Sequence, residues 1–312
     1  MFPVRKLYTV VLSAGRALTL GERPLVMGVL NITPDSFGDG SHLVQDGIVD
    51  QAAAIEAALR MEACGADIID VGGESTRPGA DPVPAGEESA RVVPIVRALA
   101  GRLRLPISVD TYKASVAREA LAAGASIVND VSGLTYEPAL ASVVAGSGAA
   151  LILMHTRGRS KDMYKEAVYE DVIRDVAAEL GQRLDMATAA GVPREQIVVD
   201  PGIGFAKRPL DSYGVLAGLA TIAQALDRPV MAGPSRKSFL RGALEGLPAP
   251  ERDWGTAAAV TAAVLAGAHI VRVHAVAEMV HVVRVAEEIR KAGRARGAGG
   301  AGGAGREDEK AP

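Results

Sequence analysis

The segment DQAAAIEAALRMEACGADIIDVGGES, residues 50–75, contains the pattern that decides the fold. Its first half is rich in alanine and repeats apolar residues at helical spacing, whereas its second half is a short apolar run with β-branched residues. Because the run is apolar at consecutive positions, both faces of the predicted strand are expected to be buried. A strand of this kind is typical of a parallel sheet covered by helices.

The same alternation continues along the whole chain, where further apolar runs are separated by segments of helical period. The runs are PLVMGVLN, DIIDVGGES, PISVDT, SIVNDV, ALILMHT, IVVDPG, RPVMAG and HIVRVH. Eight such strands, each followed by a helix, predict an α/β protein with a single (β/α)8 TIM barrel. We assign this barrel to residues 24–292.

The two ends of the chain fall outside this repeat. Residues 1–23 include LYTVVLSAGRALTLGER, which predicts a short β-hairpin that turns at Ser13 to Gly15 and caps the N-terminal mouth of the barrel. Residues 293–312, starting at Gly293, are a low-complexity Gly/Ala segment with scattered charges. Such a composition buries too little apolar surface to order itself, so we expect a disordered tail.

Composition restricts the possible partners. The net charge is -3 and the pI is about 6.0, which gives no positive field for nucleic acid or a membrane surface. No apolar run is long enough for a signal sequence or a membrane span, so we expect a cytoplasmic protein with small-molecule substrates. The single cysteine, Cys64, cannot form an internal disulfide, and its place in a predicted helix indicates a buried, inert thiol.

Every predicted strand finishes on polar residues, and the carboxyl ends of barrel strands converge on one face. A single polar strand end has little meaning, since it can simply meet solvent, but eight together predict a ligand site. These residues are Asn31, Glu74 and Ser75, Asp110, Asn129, His155, Asp200, Ser235 and Lys237, and Arg272 and His274. The acidic and amide residues lie mainly on the middle strands, whereas Arg272 and His274 lie on the eighth strand, beside the first.

Asp200 ends an apolar run in VVDPGIGFAK, residues 198–207. A buried carboxylate needs donors, and either an arginine or a ligand with an amino-pyrimidinone edge presents a parallel pair of them. Asn129, Asp110 and Lys237 can complete the contacts of such a ring, which favours a pterin-like head group. A carboxylate that only reaches solvent is the alternative.

Arg272 and His274 alternate along one predicted strand and therefore face the same side. A fixed arginine with a neighbouring histidine is typical of an anion site. Solvated charges at a strand edge would give the same pattern in the sequence, so this alternative stays open.

Seven segments occur in order at the predicted strand ends. They are MGVLNITPDSFGDG from Met27, DIIDVGGESTRPGA from Asp67, SVDT from Ser108, IVNDVSG from Ile127, VVDPGIGFAK from Val198, PSRKSF from Pro234 and VRVH from Val271. Together they resemble dihydropteroate synthases over nearly the whole chain, from Pro24 to the last helix. The resemblance implies that 6-hydroxymethyl-7,8-dihydropterin diphosphate and p-aminobenzoate are condensed to 7,8-dihydropteroate and pyrophosphate, with Mg2+ as cofactor. It also implies a sulfonamide target and a homodimer formed through the outer helices.

The resemblance assigns roles to individual residues. It implies pterin contacts from Asp110, Asn129, Met154, Asp200 and Lys237. It implies diphosphate contacts from Asn31, Thr76, Arg272 and His274, with Asn31 as a magnesium ligand. It implies p-aminobenzoate contacts from Phe37, Arg77, Pro78, Phe205 and Ser235, and it makes Asn31, Lys237, Arg272 and His274 the catalytic residues.

The sequence departs from the usual pattern of this family at three places. Gly38 stands where serine is common, Ala275 stands where an acid usually follows the histidine, and Thr156 with Arg157 replaces a Met-Gln-Gly pattern. Two other functions remain open on the sequence. One is a barrel that transfers a methyl group from methyltetrahydrofolate to a corrinoid, and the other is a pterin-binding protein without turnover.

Overall fold

The computed structural model describes residues 2–33, 43–45, 48–77, 79–159 and 161–299. The strands are β1 Tyr8–Val11, β2 Ala17–Leu20, β3 Leu25–Asn31, β4 Val44–Gln45, β5 Ile48–Val49, β6 Ile68–Gly72, β7 Ile107–Asp110, β8 Ile127–Asp130, β9 Ala150–Met154, β10 Ile197–Asp200, β11 Met231–Ala232 and β12 Ile270–Val273. The helices are α1 Gln51–Ala63, α2 Ala85–Ala100, α3 Ala114–Ala123, α4 Ala139–Ser147, α5 Val172–Ala189, α6 Pro209–Ala217, α7 Leu219–Leu226, α8 Asp253–Leu265 and α9 Val276–Gly299.

Eight parallel strands form the predicted barrel. Their spatial order is β10, β9, β8, β7, β6, β3, β12 and β11. The two outermost strands meet through a single parallel bridge between Val199 and Val230, supported by a hydrogen bond of 2.9 Å from the Val199 N–H to the Pro229 carbonyl. The sheet therefore closes on itself, and the carboxyl ends of all eight strands open on one face.

Helices cover the outside of the barrel, and in the described ranges they number nine rather than the predicted eight. The additional helix arises because the segment after β10 is divided at Gly218 into α6 and α7. A Cβ on Gly218 would lie 2.4 Å from Ile173 Cδ1, so this close approach of α5 requires glycine. No helix in these ranges has the length and apolarity needed to cross a membrane.

The predicted hairpin is confirmed at the N-terminal mouth of the barrel. Strands β1 and β2 pair in antiparallel orientation, and a turn of 3-10 helix at Ser13–Gly15 connects them. Its buried side chains Val10, Leu12 and Leu20 pack in one cluster with apolar residues of the barrel interior, namely Leu25, Met27, Ile68, Ile127, Ala150, Ile152, Val198, Met231 and Ile270. The hairpin thus seals the end of the barrel opposite the strand-end face.

The C-terminal helix extends beyond the predicted boundary at Gly293. Helix α9 continues to Gly299, because alanine and arginine follow Gly293 and both favour helices. A Cβ on Gly293 would lie 2.7 Å from Phe2 Cε2, so the first residues of the chain pack closely against this helix. The rest of the predicted tail, residues 300–312, lies outside the described residues.

The prediction of a buried thiol at Cys64 was wrong. Cys64 is exposed, because it caps the C-terminal end of α1 instead of lying on the face that packs against the barrel. Its backbone N–H donates to the Arg60 carbonyl at 2.9 Å, which completes the last turn of the helix. The side chain therefore contributes little to the core.

The sealing role of the hairpin predicts a large cost for Leu12→Ala. Leu12 is 1% exposed, so truncation leaves a cavity, and we expect the free energy of unfolding to fall by about 2–5 kcal/mol. Urea denaturation of the variant measures this loss. Leu7, which is 63% exposed, provides the control: Leu7→Ala should change stability by no more than about 0.5 kcal/mol. Equal losses in the two variants would contradict the assigned role of Leu12.

Candidate active site

On several strands, the side chains that face the barrel interior change from apolar to polar towards the carboxyl end. Alternate residues point inward, so one inward residue lies two positions after another. Strand β3 proceeds from Met27 to Asn31, β8 from Ile127 to Asn129, and β10 from Val198 to Asp200. The lower inward residues belong to the cluster sealed by the hairpin. The polar residues consequently form a second layer above an apolar floor.

Arg272 on β12 is the charged centre of this polar layer. Its Nε donates to Asp70 Oδ2 at 2.6 Å, and its Nη2 donates to Asp110 Oδ2 at 2.7 Å. Asn129 Nδ2 also donates to Asp70 Oδ2, at 3.0 Å. One guanidinium therefore holds carboxylates from two neighbouring strands, β6 and β7.

Sequence reasoning did not identify Asp70. The residue is fully buried, because it points into the barrel one inward position below Gly72. A signal was present in the run DIIDVGG, since a carboxylate in the middle of a buried strand requires a cationic or hydrogen-bonding partner. That partner is Arg272, which the resemblance had assigned to the diphosphate alone.

Some buried oxygen atoms of the polar layer are free to accept hydrogen bonds from a ligand. Among the described residues, Asp70 Oδ1 and Asn129 Oδ1 have no hydrogen-bond partner although both atoms are buried. Burial raises the pKa of Asp110 and that of Asp200, while the nearby cations Arg272 and Lys237 oppose the rise. A ligand with several N–H donors would satisfy these acceptors, as a pterin ring does.

Asp200 lies where three elements meet. Its Oδ1 accepts a hydrogen bond of 2.7 Å from the Gly202 N–H. A Cβ on Gly233 would lie 3.9 Å from Asp200 Oδ2 and 3.7 Å from Lys237 Nζ, so the carboxylate and the ammonium flank the same bare glycine. Burial lowers the pKa of Lys237 to about 8, and the charge of Asp200 opposes that shift. Asp200 is therefore buried beside a lysine and does not simply reach solvent.

The PSRKSF segment contributes four consecutive residues, Ser235 to Ser238, to the lining of the cleft. Arg236 has a φ of 58°, an uncommon left-handed conformation for a residue with a side chain. The guanidinium of Arg236 donates two hydrogen bonds of 2.7 Å to Asp253, at the start of α8. The backbone N–H of Arg236 donates to Thr256 Oγ1 at 3.0 Å. Ser235 and Lys237, on either side of it, both line the cleft.

Ser235 is joined to His274. Its hydroxyl lies 2.9 Å from His274 Nδ1 and accepts from the His274 backbone N–H at 3.2 Å. Burial lowers the pKa of His274 to about 3, and the Arg272 charge adds to this effect, so the imidazole is neutral near pH 7. The hydroxyl can donate to Nδ1, and Nε2 then carries the ring proton. Ser235, predicted as a p-aminobenzoate contact, is thus joined to a residue predicted to bind diphosphate.

The loop after β6 is fastened at its base through Glu74. This carboxylate accepts from the Tyr112 hydroxyl at 2.9 Å and from the Val83 N–H at 3.0 Å, and it pairs with Lys113. Lys113 also pairs with the buried Glu88 of α2. The loop residues Thr76 and Arg77 consequently line the cleft from a fixed base.

A cleft of about 420 Å³ opens over this polar layer. Nine residues with predicted roles line it, namely Asn31, Thr76, Arg77, Asp110, Phe205, Ser235, Lys237, Arg272 and His274. Three others, Asn129, Met154 and Asp200, are buried and do not line it. Phe37 and Pro78 lie outside the described residues. The cleft also includes residues that had no predicted role, among them Arg236, Ser238 and Arg252.

Comparison with known proteins identifies the family of this chain. A family model described as pterin binding enzyme matches residues 27–274. The dihydropteroate synthase of Synechocystis sp. is 45% identical over 269 residues, which cover 86% of this chain and 91% of that protein. The chain belongs to the dihydropteroate synthase family of pterin binding enzymes.

Solved structures of this family share the fold. The dihydropteroate synthase of Yersinia pestis, solved with a sulfonamide drug, has a TM-score of 0.84 and 38% identity, covering 91% of this chain and 99% of that chain. The enzyme of Burkholderia cenocepacia, solved with 7,8-dihydropteroate, has a TM-score of 0.81 and 41% identity, covering 93% and 99%. The sequence prediction of the family and of its barrel is confirmed.

Two departures from the usual family pattern have a structural explanation. Arg157 pairs with Glu179 of α5 and stacks on Tyr169, with its Cζ 4.0 Å from the ring centroid. Ala275 follows His274, and the Ser235 hydroxyl at 2.9 Å provides a hydrogen-bond partner for the imidazole. Gly38 lies outside the described residues.

The bridging position of Arg272 predicts a large effect of Asp70→Ala. The variant leaves a buried guanidinium with one carboxylate and removes the partner of Asn129, so the free energy of unfolding should fall by about 3–5 kcal/mol. Asp227→Ala is the matched control, because its carboxylate pairs with Lys6 but is 62% exposed, and its loss should be by far the smaller of the two. Chemical denaturation compares the two variants, and a cost for Asp70→Ala as small as that of the control would refute the bridging role.

Proposed function

We propose that this chain condenses 6-hydroxymethyl-7,8-dihydropterin diphosphate with p-aminobenzoate to give 7,8-dihydropteroate and pyrophosphate. The supporting observation is that buried acceptors and anion-binding donors share one barrel mouth. Among the described residues, Asp70 and Asn129 carry buried acceptor atoms without a hydrogen-bond partner, while the Arg272 cation and the neutral His274 line the cleft. This arrangement suits one molecule with a donor-rich ring at one end and an anion at the other. We also propose that sulfonamides bind at this site.

The deep part of the site would hold the pterin. Asp200 would accept from the 2-amino group and N3–H, and Asn129 and Asp110 would contact the other polar atoms of the ring. Lys237 would donate to the ring carbonyl, since its Nζ lies near the bare Gly233 on the same side as Asp200. Met154, which is 2% exposed beside Asp200 in the strand register, would pack against the ring.

The cleft above would hold the diphosphate. Arg272 uses its Nε and Nη2 for two carboxylates, and the remaining donors of its guanidinium can face the anion. His274, neutral near pH 7, can donate its Nε2 proton, and Thr76 can donate its hydroxyl. Phe205 and Arg77 would contact p-aminobenzoate, for which Phe37, Pro78 and Ser235 are also proposed.

Magnesium fits the oxygen atoms at this mouth. Mg2+ takes oxygen ligands, keeps several waters and often depends on substrate phosphates. Asn31 Oδ1 and Asp110 Oδ2 each lie 3.7 Å from the position that a Cβ on Gly72 would take, so an amide and a carboxylate oxygen flank one point. The described residues contain no cluster of three or more ionisable metal ligands. We propose Asn31 as the protein ligand, and the bound ion would neutralise charge on the diphosphate.

The chain's own residues favour departure of pyrophosphate. The amine of p-aminobenzoate is nucleophilic in its neutral form, so its nitrogen can attack the pterin methylene carbon without prior deprotonation. The C–N bond forms as the C–O bond to the diphosphate breaks, and the amine then releases one proton. Arg272 and His274 stabilise the charge that develops on the leaving oxygen. A corrinoid methyltransferase has no diphosphate leaving group that needs these two donors, so this alternative is not favoured.

We also propose that the enzyme is a homodimer in the cytoplasm. Leu210 on α6 and Trp254 on α8 are 82% and 88% exposed, and these apolar side chains on outer helices support a subunit interface. Sedimentation equilibrium should give twice the mass of the chain, and Trp254→Glu should shift the equilibrium towards the monomer. A wild-type protein that sediments as a monomer at micromolar concentration would reject the dimer.

Cell fractionation tests the proposed cytoplasmic location.

Pyrophosphate release with p-aminobenzoate tests the reaction, and Asp200→Ala tests the ring contact. Removing a charged hydrogen bond should weaken pterin binding by about 1.5–3 kcal/mol, or roughly tenfold to a hundredfold. Calorimetry measures this affinity, and the exposed Asp185→Ala on α5 is the control. If wild-type protein released no pyrophosphate, the proposed reaction would be rejected, and unchanged pterin affinity in Asp200→Ala would reject the ring contact alone.

A further inference from the structure

Lys207 is a buried charge with no role in the site described above. The residue is 1% exposed and does not line the cleft. Its Nζ lies 2.8 Å from His155 Nδ1, 3.1 Å from the Gly202 carbonyl and 3.0 Å from the Phe205 carbonyl. A protonated lysine has three N–H donors, and three acceptors surround this one. The ammonium is therefore fully satisfied inside the protein.

The neighbours of Lys207 define the tautomer of His155. The Nε2 of His155 lies 3.0 Å from Glu179 Oε2, and Arg157 pairs with the same carboxylate. Glu179 remains ionised, because these hydrogen bonds lower its pKa to about 2 in spite of partial burial, and it can only accept. His155 Nε2 therefore carries the proton, and Nδ1 is left to accept from Lys207. Burial lowers the pKa of His155 to about 4, which keeps the ring neutral.

The two carbonyls held by Lys207 begin and end a tight turn, residues 202–205. The Phe205 N–H donates to the Gly202 carbonyl at 3.0 Å. Gly202 has a φ of 67°, and a Cβ there would lie 1.9 Å from the His155 carbonyl, so the turn packs directly on the end of β9. On its other side, Lys237 Nζ donates to the Ile203 carbonyl at 2.6 Å and lies 4.4 Å from the Phe205 ring centroid. The turn is held between two ammonium groups.

We propose that Lys207, oriented by His155 and Glu179, is a positioning residue that fixes the turn at residues 202–205 and so presents Phe205 to the second substrate. This inference rests on the proposed function and assigns a role to a group outside the cleft. Lys237 holds the turn from the substrate side, and Lys207 holds it from the side of α5. Arg157, which departs from the family pattern, contributes by anchoring Glu179.

The arrangement gives the turn a pH dependence. Burial lowers the pKa of Lys207 to about 7, while the charge of Asp200 opposes this shift. Below that pH the lysine is charged and donates to all three acceptors, whereas above it the neutral amine has two N–H groups for three acceptors. The titratable and charged groups that face Lys207 are His155, Arg157, Tyr169, Glu179, Asp200 and Lys237. We therefore expect kcat/KM for p-aminobenzoate to fall as the pH rises through about 7.

Steady-state kinetics on purified full-length variants test the proposal. Lys207→Met keeps the length of the side chain and removes its donors, so KM for p-aminobenzoate should rise about tenfold or more, with less than about a threefold change in KM for the pterin substrate. The fall of kcat/KM near pH 7 should be lost, although Lys237 still titrates in the variant. Lys207→Arg, which keeps a cation with several donors, should recover part of the affinity. Lys291→Met on α9, whose side chain is 59% exposed, is the control and should match wild type.

The outcomes separate this proposal from the proposed function. A wild-type protein that forms no dihydropteroate overturns the function, whereas an active wild type with unchanged kinetics in Lys207→Met overturns the positioning role. Equal rises in both KM values also overturn it, because they indicate general damage. If Lys207→Met does not fold, Glu179→Gln, at a side chain that is 23% exposed, should raise KM for p-aminobenzoate selectively, and no change overturns the proposal. Nitrogen-15 spectra should show the Nε2–H tautomer of His155, and the Nδ1–H tautomer would overturn the network.

Discussion

The guanidinium of Arg272 is the interaction on which the mouth of the barrel depends. Without it, Asp70 and Asp110 would place two like charges in a buried layer with no cation between them, where their repulsion and desolvation are costly. The contacts at 2.6 and 2.7 Å fix both side chains and leave further donors on the same group. The cation that stabilises these two carboxylates therefore keeps donors available for the proposed diphosphate.

A second buried carboxylate, on the other side of the mouth, is also stabilised by cations. Asp200 is surrounded by two lysines, and its Oδ1 also ties it to the Gly202 N–H at 2.7 Å. The polar layer therefore does not consist of independent binding residues. Each acidic group is held by a cation or a backbone donor, and each cation also holds a loop or a strand. The contacts that make the mouth rigid thus also orient the groups that we propose to bind substrate.

Much of the fold and of the candidate site could be predicted from the sequence, because a buried parallel strand has a recognisable composition. The alternation of apolar runs and helical segments predicted the barrel, and the polar strand ends predicted most of the cleft. The pairing of Arg272 with Asp70 could not be predicted, since it joins residues 202 positions apart and depends on side-chain directions within the closed barrel. The contact between Lys207 and His155, 52 positions apart, could not be predicted for the same reason. Cys64 was misjudged because helical spacing does not reveal which turn of a helix is the last.

The closure of the barrel has a mechanical consequence. Seven of the junctions between strands are ladders of at least two residue pairs, whereas β10 and β11 meet at the single Val199–Val230 bridge. This seam has the fewest hydrogen bonds to break, and it lies directly beneath the two segments that carry Asp200 and Lys237. If the barrel widened at any other junction, Asp200 and Lys237 would stay together, whereas widening at this seam would separate them. The weakest line of the cylinder thus runs beside the proposed pterin pocket, where a small elastic opening would change the contacts to a ligand most.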